Sequence, residues 1–168
     1  MLNKLKAELA INSGLTAKLF ILNFRLASLF YSKGLVGKIF VVNILVLKLF
    51  KFFCGLDIPA RTKIGFGLVL YHPQNIVINS DSIIGDNAII KHNVTIGSKY
   101  DIKNECYKSP VIGNNVELSP GVIVIGDITI DDNAVIGAGA VVVKDIAENS
   151  VAVGNPAKVI RINNCSYQ

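Results

Sequence analysis

His72 and His92 are the only two histidines in the 168-residue chain. An imidazole titrates near neutral pH, so either one can take a proton from a hydroxyl during a group transfer. Asp57 precedes them and could orient His72. An aspartate on the far ring nitrogen fixes the tautomer and stabilises imidazolium as it forms. Metal chemistry is not indicated: Cys54, Cys106 and Cys165 are scattered, form no CxxC pair, and have no pair of histidines nearby. Reduced thiols are the expectation for all three. The chain also lacks Trp, a phosphate-cradling GxxxxGK[ST] motif and any interleaving of aromatic and basic residues, so a nucleic-acid binder is not expected.

What could bring distant residues together is a ladder with period six. Aliphatic side chains recur at Ile78, Ile84, Ile90 and Ile96, then at Ile112, Leu118, Val124, Ile130, Ile136 and Val142, with Ile64 and Leu70 two residues out of register. Neither a helix nor a lone strand has this period. It predicts a mainly β fold, a left-handed parallel β-helix of hexapeptide repeats, in which three six-residue units close each triangular coil. Ladder residues point inward, where neighbouring coils bury them. Small or β-branched residues four further on (Ala88, Val94, Val116, Val122, Ala134, Ala140) are expected inside the corners. The glycines that follow ladder residues (Gly65, Gly85, Gly97, Gly113, Gly137) are expected to supply the unusual corner dihedrals.

This geometry places side chains on successive coils, about 4.8 Å apart. Counting one coil per step, with the register shift and the insertion between Ile96 and Ile112, aligns His72, His92, Pro120 and Ala138 in one column. Two imidazoles then stand at one end of a shallow groove of small residues, where a long thin ligand can lie against backbone.

The expected organisation is an α-helical N-terminal segment (1–54), the β-helix (55–154) with a loop insertion (98–110), and a C-terminal tail (155–168). The first 54 residues carry eight Lys/Arg and one acidic residue, Glu8, about +7; the remainder carries nine Lys/Arg and eleven acidic residues, about −2. Two helices are predicted in the first segment, about 14–32 and 36–53, hinged near Lys33-Gly34. Leu19, Leu22, Leu26, Leu29 and Phe30 make an apolar face on the first, and the second is apolar almost all round. Only nine uncharged residues separate Lys38 from Lys48, too few to cross a hydrocarbon core of about 30 Å. No cleavage site follows a short apolar run, so a signal peptide is not expected. The favoured reading packs these helices on the β-helix and on neighbouring subunits. The alternative is peripheral binding to an anionic membrane surface.

The stretches DIPARTKIGFGLVLYHP (57–73), VTIGS (94–98), SPVIGNNVELSPGVIVIGDITI (109–130), IGAGAVVVKDI (136–146) and VGNPAKVI (153–160) resemble the hexapeptide-repeat acyltransferases, and among them the serine acetyltransferase-like branch. The resemblance implies a homotrimer that uses acetyl-CoA, bound in the cleft between two prisms, with no metal. It implies that His72 deprotonates the acceptor hydroxyl and that Asp57, fifteen residues upstream as in the family, is its carboxylate partner. The CoA arm would pass Pro120, Ala138 and Gly139, with His92 as a polar neighbour of the cofactor or of the subunit interface. Lys144 and Lys158, or Arg161, would be available to phosphate near the GNPAK turn.

Where family members that act on serine carry an Arg-His pair before the proline matching Pro110, this chain has Lys108 and Ser109. Its N-terminus, with LFILNFRLASLFY (19–31), instead resembles acetyltransferases of capsule, colanic-acid and O-antigen gene clusters. The expectation is an acetyl-CoA-dependent O-acetyltransferase of polysaccharide biosynthesis, acting on a hydroxyl of a sugar or polysaccharide precursor. Tyr71 could stack on a sugar ring and Lys108 could touch the acceptor. Serine O-acetylation is the alternative reading, and a non-catalytic β-helix scaffold ranks behind both. The expected location is the cytoplasm, with contact at the inner face of the cytoplasmic membrane on the second reading of the helices.

Overall fold

The structure, a computed structural model, describes residues 2–32, 34 and 38–162. Lys33, at the expected hinge, and Cys165 lie outside the described residues. Three helices precede the repeats: α1 (Leu2–Ile11), α2 (Leu15–Ser32) and α3 (Lys38–Cys54). Helix α1 adds to the two expected. Its run of Leu, Lys, Ala and Glu favours helix at nearly every position. Helix α3 stops at Gly55, which adopts φ +66° and donates its N–H to the Lys51 carbonyl (3.0 Å), a left-handed C-terminal cap.

From Lys63 the chain winds into a left-handed parallel β-helix with three faces. One face stacks Lys63–Ile64, Ile83–Ile84, Val111–Ile112 and Thr129–Ile130. A second stacks Val77–Ile78, Thr95–Gly97, Ile123–Ile125 and Val141–Val142. The third runs Val69–Tyr71, Ile89–Lys91, Glu117–Leu118, Val135–Ile136 and Ser150–Val153. The ladder residues from Leu70 to Val142 are all buried, as are the six small or β-branched residues expected within the corners. Lys158–Ile162, in the segment expected as a tail, turns back antiparallel on Ser150–Val153. The insertion forms a hairpin, Lys99–Asp101 with Cys106–Lys108, whose Tyr100 and Tyr107 rings pack 5.2 Å apart. The Asn104 side chain and the Lys103 amide hydrogen-bond Asp101 at its turn and hold that carboxyl below its usual range.

The corners differ from the expectation in one respect. Gly65, Gly85, Gly97, Gly113 and Gly137 do not have positive φ. Except after Gly97, the left-handed residue comes two positions later, at Gly67, Asn87, Asn115 and Gly139; Asn93, Gly121 and Asn133 occupy the same place after Ile90, Leu118 and Ile130. Asparagine tolerates this conformation because its short amide can bond locally. Here the amides bond along the axis: Asn87 to Asn115, Asn115 to Asn133 and Asn133 to Asn149, each at 3.0 Å. Most of the earlier glycines answer to close approach instead. A Cβ on Gly113 would lie 2.8 Å from the Asp132 backbone nitrogen and 2.3 Å from its Oδ1.

A solenoid exposes the backbone of its first coil, and such an edge needs a cap. Helix α1 supplies it. Asn12, buried, donates to the Leu68 carbonyl and accepts from the Leu70 N–H, both at 2.9 Å, and so imitates a neighbouring strand. Glu8 accepts from the Leu68 N–H (2.9 Å) and forms a two-point pair with Arg25. Arg25 in turn donates to the carbonyls of Ile64 and Gly65. The single acidic residue of the segment is thus consumed in a buried network.

Helix α2 faces the rest of the protein with Ala17, Phe20, Ile21, Phe24 and Ala27, all fully buried. This is a correction. Of the face read from the sequence, Leu19, Leu22 and Leu26 point to solvent. Both sides of α2 are apolar, so periodicity could not choose between them. Bulk decided: Phe20 stacks on Phe24 and meets Phe50 of α3 edge-on.

Candidate active site

His72 stands where the third face turns toward the second. The chain enters with Leu70 pointing into the prism and Tyr71 pointing out, and His72 then takes φ +50°. A non-glycine residue held there costs of the order of 1 kcal/mol. Such strain is tolerated where the surrounding structure fixes it, and here that structure is the Asn12 cap two residues earlier.

The third face pairs Leu70 with Ile90, Ile90 with Leu118, and Leu118 with Ile136. Two residues beyond each stand His72, His92, Pro120 and Ala138, so the expected column exists. Backbone bonds from Gly121 N–H to the His92 carbonyl (3.0 Å) and from Gly139 N–H to the Pro120 carbonyl (2.9 Å) tie it together. The two imidazole centroids are 6.4 Å apart with ring planes at 77°. His92 Nδ1 is buried without a hydrogen-bond partner among the described residues. Beyond the histidines the column is open. Ala138 and Gly139 are exposed, and a Cβ built on Gly139 meets nothing within 4 Å.

A groove of about 500 Å³ opens beside the imidazoles, lined by Tyr71, His72, Ile89, Lys91, His92, Glu117 and Pro120. Lys91 and Glu117 were not singled out from the sequence. Their Nζ and Oε1 lie 2.7 Å apart, both side chains about one-third exposed. The signal was present: Lys91 follows ladder residue Ile90, Glu117 precedes Leu118, and both positions point outward on one face.

The other expected site residues are dispersed. Asp57 pairs its backbone with Val77 on the second face, and its carboxylate sits 2.8 Å from Lys51 Nζ. It makes no hydrogen bond to His72 within the protomer. Lys108, on the hairpin, approaches Asp127 (3.7 Å) and lines a separate hollow of about 750 Å³ with Lys99, Tyr100 and Val143. Lys144 and Lys158 are exposed at the last coil, where the Ala157 N–H to Val141 carbonyl bond (2.8 Å) folds the GNPAK turn onto the prism.

The fold and its repeats define a class: residues 109–144 match the family described as bacterial transferase hexapeptide, six repeats. The β-helix is built of hexapeptide repeats like those of that family, and the relatives it resembles include acetyltransferases. The serine acetyltransferase of Helicobacter pylori 26695 is 39% identical over 113 residues, 67% of this chain and 65% of that protein. The colanic acid biosynthesis acetyltransferase candidate WcaB of Escherichia coli K12 is 39% identical over 107 residues, 64% of each chain. Among solved structures, serine acetyltransferase from Brucella abortus in complex with coenzyme A superposes with a TM-score of 0.77 at 27% identity, covering 90% of this chain and 58% of that one. The chain spans less than two thirds of the length of each of these relatives.

Proposed function

We propose that the protein transfers an acetyl group from acetyl-CoA to a hydroxyl of a saccharide or polysaccharide precursor, as a homotrimer with its sites in the clefts between prisms. The observation that carries the acceptor class is the groove beside His72. Serine is a zwitterion, and holding it calls for free charges of both signs. Lys91 and Glu117 are already paired at 2.7 Å. A joined ammonium and carboxylate still offer donors and acceptors to neutral hydroxyls. Tyr71, 44% exposed, adds an aromatic face on which the C–H side of a sugar ring can rest. The likeness to WcaB supports the same class, and the likeness to serine acetyltransferases supports the alternative.

On this reading His72 accepts the hydroxyl proton as the oxygen attacks the thioester carbonyl. The tetrahedral intermediate then collapses, the C–S bond breaks, and His72 returns the proton to the departing thiolate. The open edge past Pro120, Ala138 and Gly139 fits an extended pantetheine arm, with Lys144 and Lys158 at the phosphate end. Lys108 reaches an acceptor only from a neighbouring protomer, since its own hairpin lies apart from its own His72. An orienting role for Asp57 requires a carboxylate oxygen to reach His72; Oδ2 is held by Lys51.

His72→Asn is the informative variant, because asparagine favours the left-handed backbone of that corner yet cannot act as a base near neutral pH. Thiol release from acetyl-CoA with saccharide acceptors should fall by about 10²–10⁴-fold, with melting temperature unchanged or raised. Turnover with L-serine and none with saccharides would assign the alternative acceptor. Full activity in His72→Asn would remove His72 from the mechanism.

A further inference from the structure

Helices α2 and α3 show solvent an apolar surface that the β-helix does not use. On α3, Val41, Val42, Leu45, Leu49, Phe52 and Phe53 are all more than half exposed, and the two phenylalanines reach 80% and 76%. They fall at i, i+1, i+4, i+8, i+11 and i+12, one stripe of a helix. The opposite side, with Leu47, Phe50 and Cys54, packs against the core. Helix α2, antiparallel to α3 through the Phe20–Phe50 and Asn23–Asn43 contacts, likewise turns Leu15, Leu19, Leu22 and Leu26 outward.

We infer that this face rests on an anionic membrane surface. Charge decides between occupants. The 1–54 segment carries eight basic residues, and its one acidic residue, Glu8, is buried against Arg25. Lys51 is paired with Asp57, but exposed Lys48, beside the stripe, meets no negative charge within the segment. Two copies brought together through this face would juxtapose positive charges, whereas anionic headgroups neutralise them as the apolar stripe enters the acyl boundary. The helix lies on the surface rather than across it: seventeen residues rise about 26 Å, short of a hydrocarbon core of about 30 Å. Among the described residues no helix is long and apolar enough to cross a membrane. The inference is independent of the acceptor.

Flotation of the full chain with vesicles tests it. With equal parts phosphatidylglycerol and phosphatidylcholine the protein should float, and with phosphatidylcholine alone it should bind far less. Phe52→Ser combined with Phe53→Ser should weaken anionic-vesicle binding by more than about tenfold, and Lys48→Glu by about fivefold or more. Oligomeric mass by light scattering should not change in either variant. No binding to anionic vesicles, or unchanged binding after the double substitution, overturns the inference. So does a loss of oligomeric mass in the double variant, which would give the face to a second copy.

Discussion

Asn12→Ala removes the side chain that closes the first coil. In the folded protein the Asn12 amide replaces a strand, bonding the Leu68 carbonyl and the Leu70 N–H at 2.9 Å in a site where Asn12, Leu68 and Leu70 are each no more than 4% exposed. Alanine leaves that donor and that acceptor buried without partners, and each such group costs about 1–3 kcal/mol. Together the loss is about 3 kcal/mol. At about 2–4 °C per kcal/mol for a chain of this size, the melting temperature should fall by about 6–12 °C. The damage should be local before it is global. The Leu70 amide should exchange its hydrogen much faster, while the Val124 amide, deep in the stack, should keep its protection at the same temperature. Because Leu70 lies two residues before His72, turnover should also drop, by about tenfold or more, as the imidazole loses its fixed position. Scanning calorimetry, amide exchange and thiol release measure the three effects. A melting temperature within about 2 °C of wild type, with Leu70 exchange unchanged, would falsify the capping argument.

Other outcomes follow from the same contacts. Glu8→Ala strands Arg25 and the Leu68 N–H in the interior, and thermal denaturation should show a loss of about 3–5 kcal/mol. Gly113→Ala drives a Cβ into the Asp132 backbone and should cost about 2–3 kcal/mol. Gly139→Ala meets open space and suffers only its φ of +67°, about 1 kcal/mol, so the order of the two melting temperatures tests which glycines answer to contact and which to conformation. If Asp57 orients His72 once freed, Lys51→Ala should keep full turnover while Asp57→Asn lowers it about tenfold or more; equal rates for Asp57→Asn and wild type would exclude the role. Substituting Lys91 or Glu117 with alanine should raise KM for a saccharide acceptor several-fold and leave KM for acetyl-CoA unchanged. The opposite pattern in steady-state kinetics would move the pair to the cofactor side.

Much of this protein could be read from its residues, because a solenoid makes tertiary neighbours out of sequence periods. A six-residue period fixes which side chains point inward, and one coil fixes which residues stack. Hence Ile90, Leu118 and Ile136 align as counting requires, and His72, His92, Pro120 and Ala138 follow without any knowledge of contacts. The same arithmetic could have placed Lys91 and Glu117 on one outward face. What counting could not supply were relations that no period governs. Asp57 has neighbours on two elements, and only the packing of α3 shows that Lys51 reaches it first. Helix α2 is apolar on both sides, so its buried face was set by how phenylalanine fills space against Phe50 and the first coil. The glycines after the ladder residues, Gly97 apart, answer to a close approach between coils, which leaves no mark on the local sequence of either one. Glu8 and Asn12 look like ordinary polar residues, one on a short helix and one just past its end. Their work as a false strand exists only because the fold leaves one backbone edge open beside them. Repetition determined the prism and the column; the ends, where repetition stops, were decided by packing and by the need to satisfy buried hydrogen bonds.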